Sequence, residues 1–190
     1  MEAPGTARDH LRNRTADLHH RVEKTLRIRE LVAGHLPPEG YLGVLRLHLR
    51  VYGRFQHRTR PLRATTRLSE FLETIDTLVA ALQQDLGLPN SAGEDQPGNS
   101  LSEAAALGGL YVLLGATHGS RVLLPKLQAS PSLSSVSNHN FYAAAAAVPP
   151  EQWNRLVSKL NAVDTPEQRS LYLKGARNTF SQYIDARELL

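Results

Sequence analysis

Gly108-Gly109-Leu110-Tyr111-Val112-Leu113-Leu114-Gly115-Ala116-Thr117-His118-Gly119-Ser120 is the stretch whose reading decides the fold. It reads as a helix, yet it carries four glycines. Glycine in a helix interior costs about 0.5–1 kcal/mol relative to alanine. Gly115 and Gly119, one helical turn apart, therefore mark a face that something bulky approaches closely, either another helix or a ligand. Taken with the charged segment around His19 near the start of the chain, the pattern favours a ligand lying flat between two helices.

The rest of the chain is helical on the same reading. Leu11, Leu18, Val22 and Leu26 recur at helical spacing from Arg8 to Leu26. A second helix over Tyr41 to Arg60 places Leu42, Leu45, Leu49, Tyr52 and Phe55 on one stripe. Arg46, Arg50, Arg54 and Arg58 line its other side as a solvated face. Phe71, Leu72, Ile75, Leu78, Val79 and Leu82 make a third helix, entered through Ser69 and Glu73 and ended by Gly87 and Pro89. Asn90 to Ser100, rich in Gly, Pro, Asn and Ser, is expected as a surface loop.

The glycine-interrupted helix begins at Ser102 and is expected to stop near Pro125, with a polar loop from Ala129 to Asn140. A fifth helix follows Pro149-Pro150, and a sixth starts at Thr165-Pro166-Glu167-Gln168. The apolar members of the last are Leu171, Leu173, Ala176, Phe180, Tyr183 and Ile184. No period-2 alternation of useful length is found, and no internal repeat. The expectation is an all-α bundle in a single domain over residues 1–190.

Composition narrows the function. A chain of 190 residues with 41% hydrophobic and 21% charged residues is ordinary globular material. The absence of cysteine removes disulfides, thiolate metal sites and cysteine nucleophiles, so any metal must be held by His or carboxylate. No apolar run reaches the ~20 residues that span a bilayer, and Met1 to His10 has no apolar core of a signal peptide, so a cytoplasmic location away from the membrane is expected. The net charge of +4 is mild and spread out, and nucleic acid is disfavoured as a partner relative to an acidic small molecule or protein.

Arg12, Thr15, His19 and Glu23 share one face of the first helix. Glu23, one turn after His19, is placed to accept a hydrogen bond from one ring nitrogen and leave the other free as a ligand. A solvent-facing His with a carboxylate neighbour is the plain alternative. His20, displaced by roughly 100° around the helix, is expected to face solvent.

Leu11-Arg12-x-x-Thr15-x-x-Leu18-His19-x-x-Val22-Glu23, followed by Leu107-Gly108-x-Leu110-Tyr111-Val112-Leu113-x-Gly115-x-x-x-Gly119, resembles the biliverdin-producing haem oxygenases. The bacterial branch associated with bacteriophytochromes is the nearest in pattern. Gly175-Ala176-x-x-Thr179-Phe180 and Trp153 extend the resemblance over nearly the whole chain. It implies a bundle in which haem, both substrate and cofactor, lies between a proximal helix and a kinked distal one. His19 would ligate iron, Glu23 would orient it, and Arg12 would pair with a propionate. Gly115 and Gly119 would bring the distal backbone near the iron, Phe180 would wall the pocket, and Tyr111 and Ser120 would lie beside the haem. The implied reaction opens haem to biliverdin, carbon monoxide and iron. It uses dioxygen and electrons from a ferredoxin or reductase, with a bacteriophytochrome as the implied biliverdin acceptor.

The distal segment departs from that family. Leu114 and Ala116 stand where its members carry a carboxylate, so Thr117, His118 or Ser120 would have to support proton delivery. His118 could hydrogen-bond a distal water, ligate iron, or face another helix or solvent. A haem-binding homologue without turnover, serving as sensor, carrier or partner, is therefore the alternative to an oxygenase. A haem-free helical interaction module is a third reading. Di-iron chemistry is disfavoured because no repeated Glu-x-x-His pairs occur.

Overall fold

The computed structural model describes residues 5–64, 67–89, 99–136 and 138–186. Among these residues all regular structure is helical. The helices are α1 (Ala7–Thr25), α2 (Ile28–Ala33), α3 (Pro38–Thr59), α4 (Ser69–Asp85), α5 (Glu103–Gln128), α6 (Asn140–Ala147), α7 (Pro150–Ala162) and α8 (Pro166–Asp185). Residues 90–98 of the expected surface loop lie outside the described residues. No helix among the described residues is long and apolar enough to cross a membrane.

Local chemistry sets the helix starts. The Thr6 hydroxyl accepts from the Asp9 backbone N–H while the Asp9 carboxylate accepts from that of Thr6, a reciprocal cap for α1. Ser102 and Thr165 cap α5 and α8 in the same sense through the N–H groups of Ala105 and Gln168. Each such cap contributes about 1 kcal/mol.

Helix α5 is the hub. It packs most extensively on α8 and then on α6, while α1 lies against α8. Two glycines make the α5–α8 crossing possible. A Cβ on Gly108 would stand 2.8 Å from the Tyr172 carbonyl carbon, and one on Gly175 would stand 2.8 Å from that of Ala105. Backbone meets backbone there, and no side chain fits. Helices α1 and α5 are thus both held by α8 but scarcely touch each other. The space left between them is the cavity described below.

Several expectations need correction. Two helices, α2 and α6, fall in segments to which the sequence reading assigned no helix. The first has six residues, too few to show a period, and the second is dominated by Ala143 to Ala147, which has no polar face to set a phase. Pro125 does not stop α5, which runs on to Gln128. A proline this near the end removes only one backbone donor from the final turns. In α8 it is Tyr172 that is buried, and Leu171 points outward at 38% exposure.

Helix α3 is buried nearly all round, with Tyr41, Val44, Leu45, Leu47, His48 and Val51 inside as well as Tyr52 and Phe55. Of its arginines, Arg46 and Arg50 are solvated as expected, but Arg54 and Arg58 are half-buried. The Arg58 guanidinium donates to the Asn99 carbonyl (2.9 Å) and to Asn178 Oδ1 (2.9 Å), tying the start of the α5 approach to α8.

Candidate functional site

The cavity has a volume of about 780 Å³, within the roughly 300–1,000 Å³ typical of small-molecule sites. One wall is α1. Arg8, Arg12, Thr15, His19 and Glu23 follow one another at spacings of three or four, which puts all five along one face. Thr15 is turned inward, buried, with its hydroxyl donating to the Leu11 carbonyl (2.8 Å), so it presents no free polar group to the cavity. His19 is the opposite case, with its side chain 62% exposed over the open space.

His19 Nδ1 lies 3.5 Å from Glu23 Oε1, while Nε2 has no partner among the described residues. The expected carboxylate thus stands beside His19 at ion-pair distance only, and the imidazole hydrogen-bonded to it is that of His20. Glu23 also meets His20 Nδ1, at 3.2 Å through its other oxygen, so the carboxylate is shared between two imidazoles. His20 sits at the solvent-facing rim. The His19 ring is steadied from the far side by Phe180, edge to face at 6.2 Å between centroids.

The opposite wall is α5, where Tyr111, Gly115, His118 and Gly119 line the cavity. The four glycines of this helix divide into two kinds. Gly108 and Gly109 are required by protein packing, for a Cβ on Gly109 would come within 2.5 Å of the Phe55 ring. Gly115 and Gly119 are not. A Cβ on Gly115 would make an ordinary 3.5 Å contact with Trp153, and one on Gly119 would meet nothing within 4 Å. A helix that accepts the cost of glycine where the protein itself needs no room leaves that room for something else.

His118 is exposed at the mouth. Its ring stands edge-on to Trp153 at 5.2 Å, and its Nδ1 turns back to the Gly115 carbonyl at 3.3 Å. Ser120, expected beside the ligand, is buried and does not line the cavity. Thr117 is likewise turned inward, donating to the Leu114 carbonyl (2.7 Å). Both sit on the packed side of α5, roughly 100° per residue away from the glycine face.

The cavity is polarised along its length. Arg8 and Arg12 stand at the end near Tyr111, whose phenol is pushed up by burial against the opposing pull of those two guanidiniums. From Arg12 to Leu26 the α1 axis advances about 20 Å at 1.5 Å per residue. At that far end the lining is apolar, with Leu26, Ile28, Val32, Val122 and Leu123. Arg155, Lys159 and Arg177 do not line it, and Arg155 is paired with Glu70 at 2.8 Å.

Sequence reasoning missed two residues at the back. His48 of α3 and Tyr183 of α8 are both buried, both line the cavity, and join through His48 Nδ1 and the Tyr183 hydroxyl at 3.0 Å. Burial lowers the His48 pKa to about 3, so the imidazole is neutral. The signal was available, since His48 falls on the stripe Tyr41, Val44, His48, Val51 and Phe55.

Among the described residues no group of three or more His, Asp or Glu could hold a metal ion. A metal at His19 would have one protein ligand and must bring its remaining donors with it. A metalloporphyrin does so, and the long apolar slot, the cationic end and the glycine wall suit its shape and its carboxylates. The chain matches no protein-family model and no curated protein.

Proposed function

We propose that the chain binds haem between α1 and α5 and opens its ring to biliverdin in the manner of a haem oxygenase. One observation carries the reading: an imidazole with a carboxylate one turn away, His19, faces two glycines that no protein contact requires, across a slot large enough for the ligand. Bound haem would supply the iron that activates dioxygen, with carbon monoxide and iron released beside biliverdin.

The protein's residues would do the rest. Glu23 holds the His19 tautomer so that Nε2 points to the ligand, and Phe180 fixes the ring's rotation. Arg12, joined by Arg8, holds the ligand's carboxylates at the cationic end by charge-assisted hydrogen bonds. Gly115 and Gly119 keep the distal side narrow yet open to a diatomic molecule. A ferredoxin or reductase would supply electrons, docking on exposed cations such as Arg46 and Arg50, and a bacteriophytochrome is the proposed acceptor of the product.

A second reading is supported by the distal wall. Between Tyr111 and Leu123, α5 carries no carboxylate, and its titratable side chains are Tyr111, His118 and Arg121. A haem-binding protein without turnover fits that wall. Haem-loaded protein given a ferredoxin system and catalase decides between the two. Biliverdin and carbon monoxide support the oxygenase, and a stable Soret band with no biliverdin supports the second reading.

A further inference from the structure

The buried His48–Tyr183 pair lines the back of the cavity and is given no part in holding the ligand above. It is the near end of a longer series. His48 is 6.0 Å from Tyr52 and 6.2 Å from Tyr142 between ring centroids. Tyr142 stacks on Tyr41 at 6.2 Å, and the Tyr41 hydroxyl meets His139 Nδ1 at 2.8 Å. His139 is only half-buried. A tyrosine–histidine pair thus stands at the cavity and another near the surface, joined by aromatic rings in near contact. The chain has no cysteine, and its one methionine is Met1, so no internal sulfur competes as an electron donor.

We infer that Tyr183 is a proton-coupled electron donor to oxidants formed in the cavity, with His48 as its proton acceptor and the Tyr41–His139 pair as a second donor reached through it. The inference rests on the proposal that haem occupies the slot. Burial, reinforced by the neighbouring Tyr52 and Tyr142, keeps the Tyr183 phenol from ionising, so it gives up an electron only if its proton leaves with it. His48, neutral and hydrogen-bonded to the hydroxyl, is the base within reach.

The balance is as follows. Hydrogen peroxide acting through bound ferric haem is reduced to two waters, which takes two electrons and two solvent protons. Tyr183 gives one electron and passes its phenolic proton to His48, leaving a neutral phenoxyl radical. Tyr41 gives the second electron and passes its proton to His139. The pairs draw oxidising charge away from the slot and leave the bound ligand and the walls intact.

The test is rapid-freeze electron paramagnetic resonance of haem-loaded protein mixed with hydrogen peroxide, with the Soret band recorded first. Wild-type protein is expected to show a tyrosyl signal whose hyperfine structure collapses when ring-deuterated tyrosine is incorporated. Tyr183→Phe and His48→Phe should each lose most of that signal while keeping the wild-type Soret band and a cooperative melt. Because His48→Phe retains Tyr183, loss of signal there isolates proton acceptance. An undiminished tyrosyl signal in Tyr183→Phe, or a radical resident on Trp153 or Tyr111, overturns the inference. A chain that takes up no haem overturns the haem reading and this step together.

Discussion

Placing alanine at Gly119 and, separately, at Gly108 should give opposite results, because the two glycines exist for different reasons. At Gly119 the new methyl meets nothing within 4 Å in the ligand-free protein. The only stability effect left is backbone propensity, about 0.5–1 kcal/mol in favour of alanine, which for a chain of this size raises Tm by about 1–4 °C. The same methyl enters the slot, and the crowding of a bound ligand, about 1–3 kcal/mol, weakens haem binding by about 5-fold to 150-fold. At Gly108 the methyl runs into the Tyr172 carbonyl and stands 3.0 Å from the Ala176 nitrogen, atoms of a helix backbone that cannot swing aside. A penalty near 3 kcal/mol less the propensity gain leaves about 2 kcal/mol of destabilisation, or a Tm lower by about 4–8 °C. Thermal melts of the haem-free proteins and haem titrations followed at the Soret band measure both quantities. A Gly119→Ala protein that melts higher yet binds haem as tightly as wild type would refute the reasoning, since the room left by Gly119 would then serve no ligand.

Three further outcomes follow from the geometry. The depressed pKa of His48 makes stability pH-dependent: between about pH 6.5 and 3 the unfolded chain binds a proton that the folded one does not, so stability falls as pH falls. Urea titrations across that window should show wild type losing up to about 1.4 kcal/mol per pH unit more than His48→Phe, and parallel slopes would remove the buried neutral imidazole. Glu23→Ala, at an exposed pair, should change urea stability by less than about 0.5 kcal/mol while weakening haem binding about 10–100-fold through the lost orientation of His19. Trp153, the chain's one tryptophan, lines the slot, so its fluorescence should quench in proportion to haem added and saturate at one equivalent. Emission that survives saturation places the ligand elsewhere.

The fold was legible wherever a helix has one apolar face and a chemical start signal. Thr165-Pro166 and Ser102 marked helix starts that the backbone confirms, and Leu11 with Val22 gave α1 its buried stripe. Legibility failed where the periodic signal carries no phase. Helix α3 buries both faces, so reading Leu42, Leu45 and Leu49 as its stripe passed over the neighbouring stripe that holds His48. The run Ala143–Ala147 has no polar face, which hid α6.

At the site, the i to i+4 relation of His19 and Glu23 was readable because a helix fixes it locally. The split of the glycines was not, because whether Gly108 or Gly119 faces a helix or empty space depends on where α8 and α7 lie, which no local spacing encodes. Ser120 was misplaced for the same reason. A motif names neighbours in sequence, and one residue of displacement on a helix turns a side chain by roughly 100°.

The central claim, that His19 holds haem iron across from the α5 glycines, is tested most directly by resonance Raman spectroscopy of the ferrous haem complex of wild type beside His19→Ala and His118→Ala. A one-to-one complex is expected, with an iron–imidazole stretch that disappears in His19→Ala and persists in His118→Ala. The same stretch surviving in His19→Ala, or no stoichiometric haem complex in the wild-type protein, would contradict it.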